Sequence, residues 1–263
     1  MKKTLIALAV AASAAVSGSA MAWTANGTGG SVDLGGTLTP VEKVTPWEVK
    51  VGAAVNGLDG LIQKGQKEVS IAVNKAIPVL GVRTQGSESF AAQSGIDPKI
   101  NYNGAVDFSN MTGGVAKLKL NVHGAADEKI GTLEADILTG VGVARNAAAG
   151  GDAYSGYSDG LSFDGGIGKS AGEVVGSLGE LMSRLGAIDS EIAAHFAQMD
   201  KPDVGAWRVP SFSEKSDVDG RYSVFYGSGI EKGKTIKITL DQAASGDAPI
   251  QWKASLPVTV TYA

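Results

Sequence analysis

Hydrophobic and polar residues alternate with a period of two along most of this chain. In residues 30–39, GSVDLGGTLT, Val32, Leu34 and Leu38 fall on one side with Gly36 in the matching slot. Ser31, Asp33, Thr37 and Thr39 fall on the other. That period predicts a half-buried strand. Gly27, Gly29 and Gly30 precede it and Pro40 follows, so the local sequence offers it no hairpin partner. Similar patterns predict strands near 47–51, 69–73, 77–84, 99–108, 117–123, 129–138, 221–230, 234–243 and 255–262. Turn signals stand at Asn56-Gly57, Asn103-Gly104 and Gly113-Gly114. Short strands separated by such turns predict an antiparallel sandwich.

The middle of the chain changes character. Residues 140–168 are rich in Gly, Ala, Ser and Asp and read as loop. Val174, Leu178, Leu181, Leu185, Ile188, Ile192, Phe196 and Met199 then recur every three or four residues, a helical stripe. Ser170 followed by Glu173 has the form of a capping box. Gly176, Gly179 and Gly186 each cost up to about 1 kcal/mol inside a helix. The expectation is therefore two short helices packed on the sandwich, the second capped by Asp189. Pro202 and Pro210 bracket the return to strand.

The far end raises the same problem as the beginning. Residues 255–263, SLPVTVTYA, alternate Leu256, Val258, Val260 and Tyr262 with polar positions. Pro257 has no N–H to give a ladder, so one rim of this strand suits a sheet edge. Exposed edges recruit other chains. The orphan strand at 30–39 either folds back on its own sheet or adds to the next copy, as in strand addition. Burying Val32, Leu34 and Leu38 is worth about 1.5–3 kcal/mol each. Gly36 suits a groove too shallow for a side chain there. A head-to-tail contact of this kind does not close on itself and propagates as a fibre.

Composition adds the compartment. Lys2 and Lys3, an apolar run over 5–16 and the Ala20-Met21-Ala22 exit describe a secretory signal peptide, predicting a mature chain from Trp23. The run is short for a membrane span, and no later segment reaches about 18 apolar residues. The full chain has 23 basic and 27 acidic residues. Losing two lysines leaves 21 against 27, a net charge of −6. No basic block stands out, which argues against nucleic acid and anionic membranes. There is no cysteine, so core packing or a partner must supply stability.

A search for chemistry finds little. His123 and His195 lie far apart, without metal-ligand spacing. No G-x-S-x-G elbow is present. The glycine-rich middle lacks the lysine of a phosphate loop, and Asp152, Asp159 and Asp164 do not match a calcium-loop spacing. No catalytic constellation emerges, which leaves little for a secreted β-sandwich enzyme. Carbohydrate binding needs an aromatic face with polar neighbours on surface loops. Tyr154, Tyr157, Asp159 and Phe163 are the candidate set.

The two ends carry a family resemblance. The leader, GSVDLGGTLT, Trp47-Glu48-Val49-Lys50-Val51-Gly52, Gly227 with Gly229-Ile230, Gly233 with Thr235-Ile236, Gln251-Trp252 and Pro257-Val258-Thr259-Val260-Thr261-Tyr262 resemble the Fae-type major fimbrial subunits of enteric bacteria. Those are chaperone–usher pilins whose major subunit is also the adhesin. The likeness is clear over residues 1–60 and 220–263, and the middle departs from it. The resemblance implies a signal peptide at 1–22, a donor extension at 23–40 and a pilin domain at 41–263 with an insertion around 140–210. The fold it implies is mainly β, an incomplete immunoglobulin-like antiparallel sandwich lacking its final strand. Leu256, Val258, Val260 and Tyr262 would border the open groove. A periplasmic chaperone would fill that groove and hold the C-terminal carboxylate. At the outer-membrane usher, Val32, Leu34, Gly36 and Leu38 of the next identical subunit would replace it. The product would be a surface fimbrium that binds host glycans at the inserted region, without cofactor or nucleic acid. The alternative is a shaft-only pilin with no receptor.

Overall fold

The computed structural model describes residues 34–39, 44–147, 150–214 and 220–263. The chain divides into a leading unit, residues 1–43, and a body, residues 44–263. The signal-peptide reading and Val32 lie outside the described residues. In the leading unit, residues 34–39 have no regular secondary structure, and Leu34 and Leu38 are 93% and 98% exposed.

The body runs through strands β1 (Trp47–Val51), β2 (Glu68–Ala72), β3 (Ile77–Thr84), β4 (Phe90–Ala91), β5 (Pro98–Asn101), β6 (Val106–Thr112), β7 (Val115–His123), β8 (Lys129–Ala147) and β9 (Gly150–Tyr157). Helix α1 (Leu178–Ile188) follows, then β10 (Asp203–Arg208), β11 (Arg221–Ile230), β12 (Thr235–Leu240) and β13 (Thr259–Tyr262). The first half of β8 pairs with β7 and β12, and its second half with β9 and β11. One layer therefore reads β1-β3-β11-β8-β9-β10 and the other β2-β12-β8-β7-β6. β13 pairs with β5 in a separate ladder. Leu80, Val82, Val141 and Tyr226 of the first layer and Ile71, Leu118, Leu133 and Ile238 of the second share one buried core. The architecture is an immunoglobulin-like β-sandwich.

Two of the three turn signals, Asn103-Gly104 and Gly113-Gly114, act where the pattern put them, while Asn56-Gly57 lies in an irregular stretch. Gly113 and Gly114, at φ 56° and 77°, close the β6–β7 hairpin, with Thr112 opposite Val115. Three expectations change. β10 lies parallel to β9, so the pairing is not wholly antiparallel. A chain that leaves one strand and returns through a crossover carrying a helix arrives parallel to it. Residues 140–157, expected as loop, are mostly strand. Only one α-helix forms among the described residues. It is capped by Ser177, whose side chain accepts from the Glu180 N–H, and Asp189 closes it at the C-terminal end. Ser170 and Glu173 make a turn instead, with the Glu173 carboxylate accepting from the Lys169 N–H at 2.6 Å.

The glycine-rich composition that suggested loop has a packing cause. α1 buries Leu178, Leu181, Leu185 and Ile188 against the first layer. A Cβ at Gly140 would sit 2.3 Å from Leu181, and one at Gly142 2.2 Å from Phe225 and 2.9 Å from Leu178. Gly227 and Gly229 on β11 likewise face Leu185, Ile188 and Ile192. The strands pave the helix-bearing face with glycine so that helix and sheet can approach closely.

Candidate functional site

An apolar groove of about 1180 Å³ opens on the body. Its floor comes from alternate positions of the second layer, including Ile71, Leu118, Leu133, Ile236 and Ile238. The period of two in each strand aims these side chains inward, and all five are less than 5% exposed. One rim is the segment after β1, where Leu58 and Ile62 are half-buried and Leu61 is fully exposed. The other rim runs from Ala244 to Val258.

Both rims leave main chain unpaired among the described residues. Among the described residues, none of 53–62 enters a backbone–backbone hydrogen bond, and none of 254–257 does. The ends of each rim are nonetheless fixed. The Gly52 N–H donates to Val79 at 2.9 Å and the Gly65 N–H to Ala244 at 2.8 Å. Lys64 pairs with Asp247 across the groove mouth. The second rim is pinned where Lys253 and His123 exchange backbone hydrogen bonds at 2.9 Å, and again where β13 meets β5. Leu256 and Val258 line the groove. Val260 and Tyr262 lie on β13 and pack against the core, and burial pushes the Tyr262 phenol up.

A buried carboxylate stands where the second rim ends. Asp97, just before β5, exchanges backbone hydrogen bonds with Ala263. Its side chain accepts from Ser162 Oγ at 2.7 Å, Ser211 Oγ at 2.6 Å, and the N–H groups of Phe212 and Ser213 at 2.5 and 3.0 Å. Ser213 Oγ in turn donates to the Ala263 carbonyl at 2.7 Å. Sequence reading missed Asp97, because its partners are 65 to 116 residues away.

These observations describe a sandwich with an apolar channel along one side. A family model described as fimbrial, major and minor subunit, matches residues 1–263. The chain belongs to the K88 fimbrial family. It is 34% identical to K88 fimbrial protein AC of Escherichia coli over 288 residues and 33% identical to K88 fimbrial protein AD over 289. The F41 fimbrial protein of the same organism is 28% identical over 292 residues. Each of these alignments covers the whole of both chains. These relatives are fimbrial proteins rather than enzymes, and this K88-family chain is a fimbrial subunit.

The aromatic set proposed from sequence for glycans is not brought together on the surface of this K88-family subunit. Tyr154 is 2% exposed and Phe163 fully buried, the latter stacked on Tyr226 with ring centres 5.6 Å apart. Both rings are committed to the core, and burial raises the Tyr154 phenol. For Tyr154 the reason is the strand at β9, which turns alternate residues inward where a loop would have left them out; Phe163 lies in the turn after it, whose backbone is bonded to β5. Tyr157 is half-buried, and Asp159 is exposed and pairs with Arg208 at 3.3 Å. Among the described residues, the aromatic that is largely exposed is Trp207 on β10, at 59%, one residue before Arg208. Its flanking residues show no sequence pattern that would have singled it out. His123 Nδ1 lies 2.8 Å from the Asp127 carbonyl. His195 Nδ1 lies 3.1 Å from the Thr84 carbonyl and 2.9 Å from the Glu48 carboxylate.

Proposed function

We propose that this subunit builds its fibre by strand addition, the 30–39 segment of one copy filling the groove of the next. The groove carries the reading: its floor is apolar and its two rims hold backbone donors and acceptors with no partner among the described residues, which is what an extended peptide needs on either side. Val32, Leu34 and Leu38 supply the apolar face, and Gly36 lies where the groove is shallow. Each buried side chain contributes about 1.5–3 kcal/mol. Main-chain hydrogen bonds add about 0.5–1.5 kcal/mol apiece. In the periplasm a chaperone strand holds the groove first, and exchange at the outer-membrane usher replaces it. No nucleotide or cofactor is needed, because the free energy released on exchange is folding free energy.

The test is deletion of residues 30–39. The expected product is monomer or chaperone complex without fibres in negative-stain micrographs, and normal fibres from this deletion would reject the reading. Leu34→Asp is the finer test, since it asks the groove to bury a charge.

Adhesion to host glycans is a second activity of the same subunit, favoured by Trp207. Its exposed indole offers a ring face, and the next residue in the chain, Arg208, pairs with Asp159. A glycan array probed with a self-complemented subunit should show binding that Trp207→Ala and Asp159→Asn abolish. Uniformly flat arrays from the unmodified subunit would make it a shaft-only pilin.

A further inference from the structure

We infer that Asp97 is a positioning residue for assembly: it fixes the β13 rim of the groove and ties that rim to the inserted region. This rests on the strand-addition reading above. Four donors converge on one buried side chain, which is only 6% exposed. They come from two places far apart in the chain: Ser162 in the segment after β9, and residues 211–213 on the return from β10. The backbone of the same residue brackets Ala263, its N–H donating to the Ala263 carbonyl at 3.2 Å and its carbonyl accepting from the Ala263 N–H at 3.1 Å.

The surroundings explain why such a clamp is needed. β13 has only four residues and one strand partner, β5, itself four residues long. A two-stranded ladder that short is marginal by itself. β5 is held from its other side by the inserted region. The Phe163 N–H donates to the Pro98 carbonyl at 2.6 Å and the Ile100 N–H to the Asp164 carbonyl at 3.0 Å, while Lys99 Nζ donates to the Gly160 and Leu161 carbonyls. Asp97 stands at the end of both contacts. Removing its side chain orphans the Ser162 and Ser211 hydroxyls and the Phe212 N–H at once and leaves the Ser213 N–H only its 3.1 Å bond to Ser211 Oγ, and they can be re-satisfied only by loosening the segments they hold. The rim residues 254–257, which have no backbone partner among the described residues, then lose their one fixed end beyond the groove.

The experiment uses the full chain and reads amide hydrogen exchange residue by residue, together with the rate at which assembled fibres fall into subunits in denaturant. In Asp97→Ala, exchange at residues 259–263 should rise by about tenfold or more, with little change at the β8–β11 ladder, and fibres should dissociate faster by a similar factor. Asp97→Asn retains one oxygen for the three donors now on Oδ1 and should recover most of both. Thr84→Val, which removes a buried hydroxyl bonded to Val224 across β3 and β11, serves as the control for general destabilisation. Unchanged exchange at 259–263 overturns the proposal, and so does a rise spread evenly over both ladders as in the control. If Asp97→Ala does not fold, Ser162→Ala and Ser211→Ala decide: each should raise exchange at 259–263 severalfold, and no change in either rejects the role. Exchange at 259–263 does not depend on how fibres form. Fibres made without residues 30–39 would therefore sink the assembly reading while leaving this one to be judged separately.

Discussion

Tyr102 shows how much of this fold rests on single polar atoms in the core. Its hydroxyl donates to Ser228 Oγ at 2.7 Å and lies 2.8 Å from the Tyr226 hydroxyl, which donates to the Gly166 carbonyl at 3.0 Å. The cluster joins the residue after β5 to β11 and to the segment after β9. Burial pushes the Tyr102 phenol up to about 12 and Tyr226 well above its ordinary value. A phenol whose folded value exceeds the unfolded one, near 10, contributes fully below pH 10 and loses that contribution as pH rises towards 12. Tyr102→Phe should lower stability by about 1–3 kcal/mol at neutral pH, because it takes one hydrogen-bond partner from each of two buried hydroxyls, Tyr226 and Ser228. Thermal melts from pH 9 to 12 should fall more steeply for the parent than for this variant. Gly229 makes the complementary point about space. A Cβ there would come within 2.5 Å of the Ile77 carbonyl and 2.7 Å of Ile188. Gly229→Ala should cost about 1–3 kcal/mol in urea unfolding, since the backbone carbonyl cannot step aside.

Among the elements, α1 is held by more than its apolar face. Arg184 grips Glu231 with two hydrogen bonds, at 2.9 and 2.8 Å, and donates to the Gly113 carbonyl at 2.9 Å. Those bonds pull the Glu231 carboxyl below its ordinary 4.5. A carboxylate depressed in the fold stabilises above its unfolded value and loses that stabilisation as pH falls through the folded one. Glu231→Gln should therefore cost about 1–3 kcal/mol at pH 7, and the gap from the parent should close below about pH 4 in urea titrations. The elements also show what the sequence could and could not tell. Strands with one wet face, such as β7 with Leu118 and Val122 in and Lys117, Lys119 and Asn121 out, announced themselves by alternation. The second half of β8 did not, because it is covered on both faces: Gly140, Gly142 and Ala144 carry the helix while Thr139, Val141 and Val143 face the sandwich core. Small residues chosen for close approach read as a loop when the thing approaching is unknown. Tyr154, on β9, was misread for the same reason; Phe163 was misread because a turn residue can still be buried when its segment packs on another strand. Along the groove, the alternation of Leu256 and Val258 with polar positions was legible in the sequence. Asp97 was not, since nothing local distinguishes a carboxylate that will meet four distant donors.

At the scale of the whole molecule, β8 is the part the two layers have in common. Its 19 residues pair with β7 and β12 at one end and with β9 and β11 at the other. A sandwich of two independent sheets can part along the plane between them. This one cannot, because the same length of backbone is stitched into both leaves. When tension is applied along a filament of such units, as by flow over a surface, no layer can slip free before β8 is stripped from its neighbours on each side. Optical-trap extension of a tandem array should accordingly give a single rupture length per module, near that of the complete body, with no shorter step.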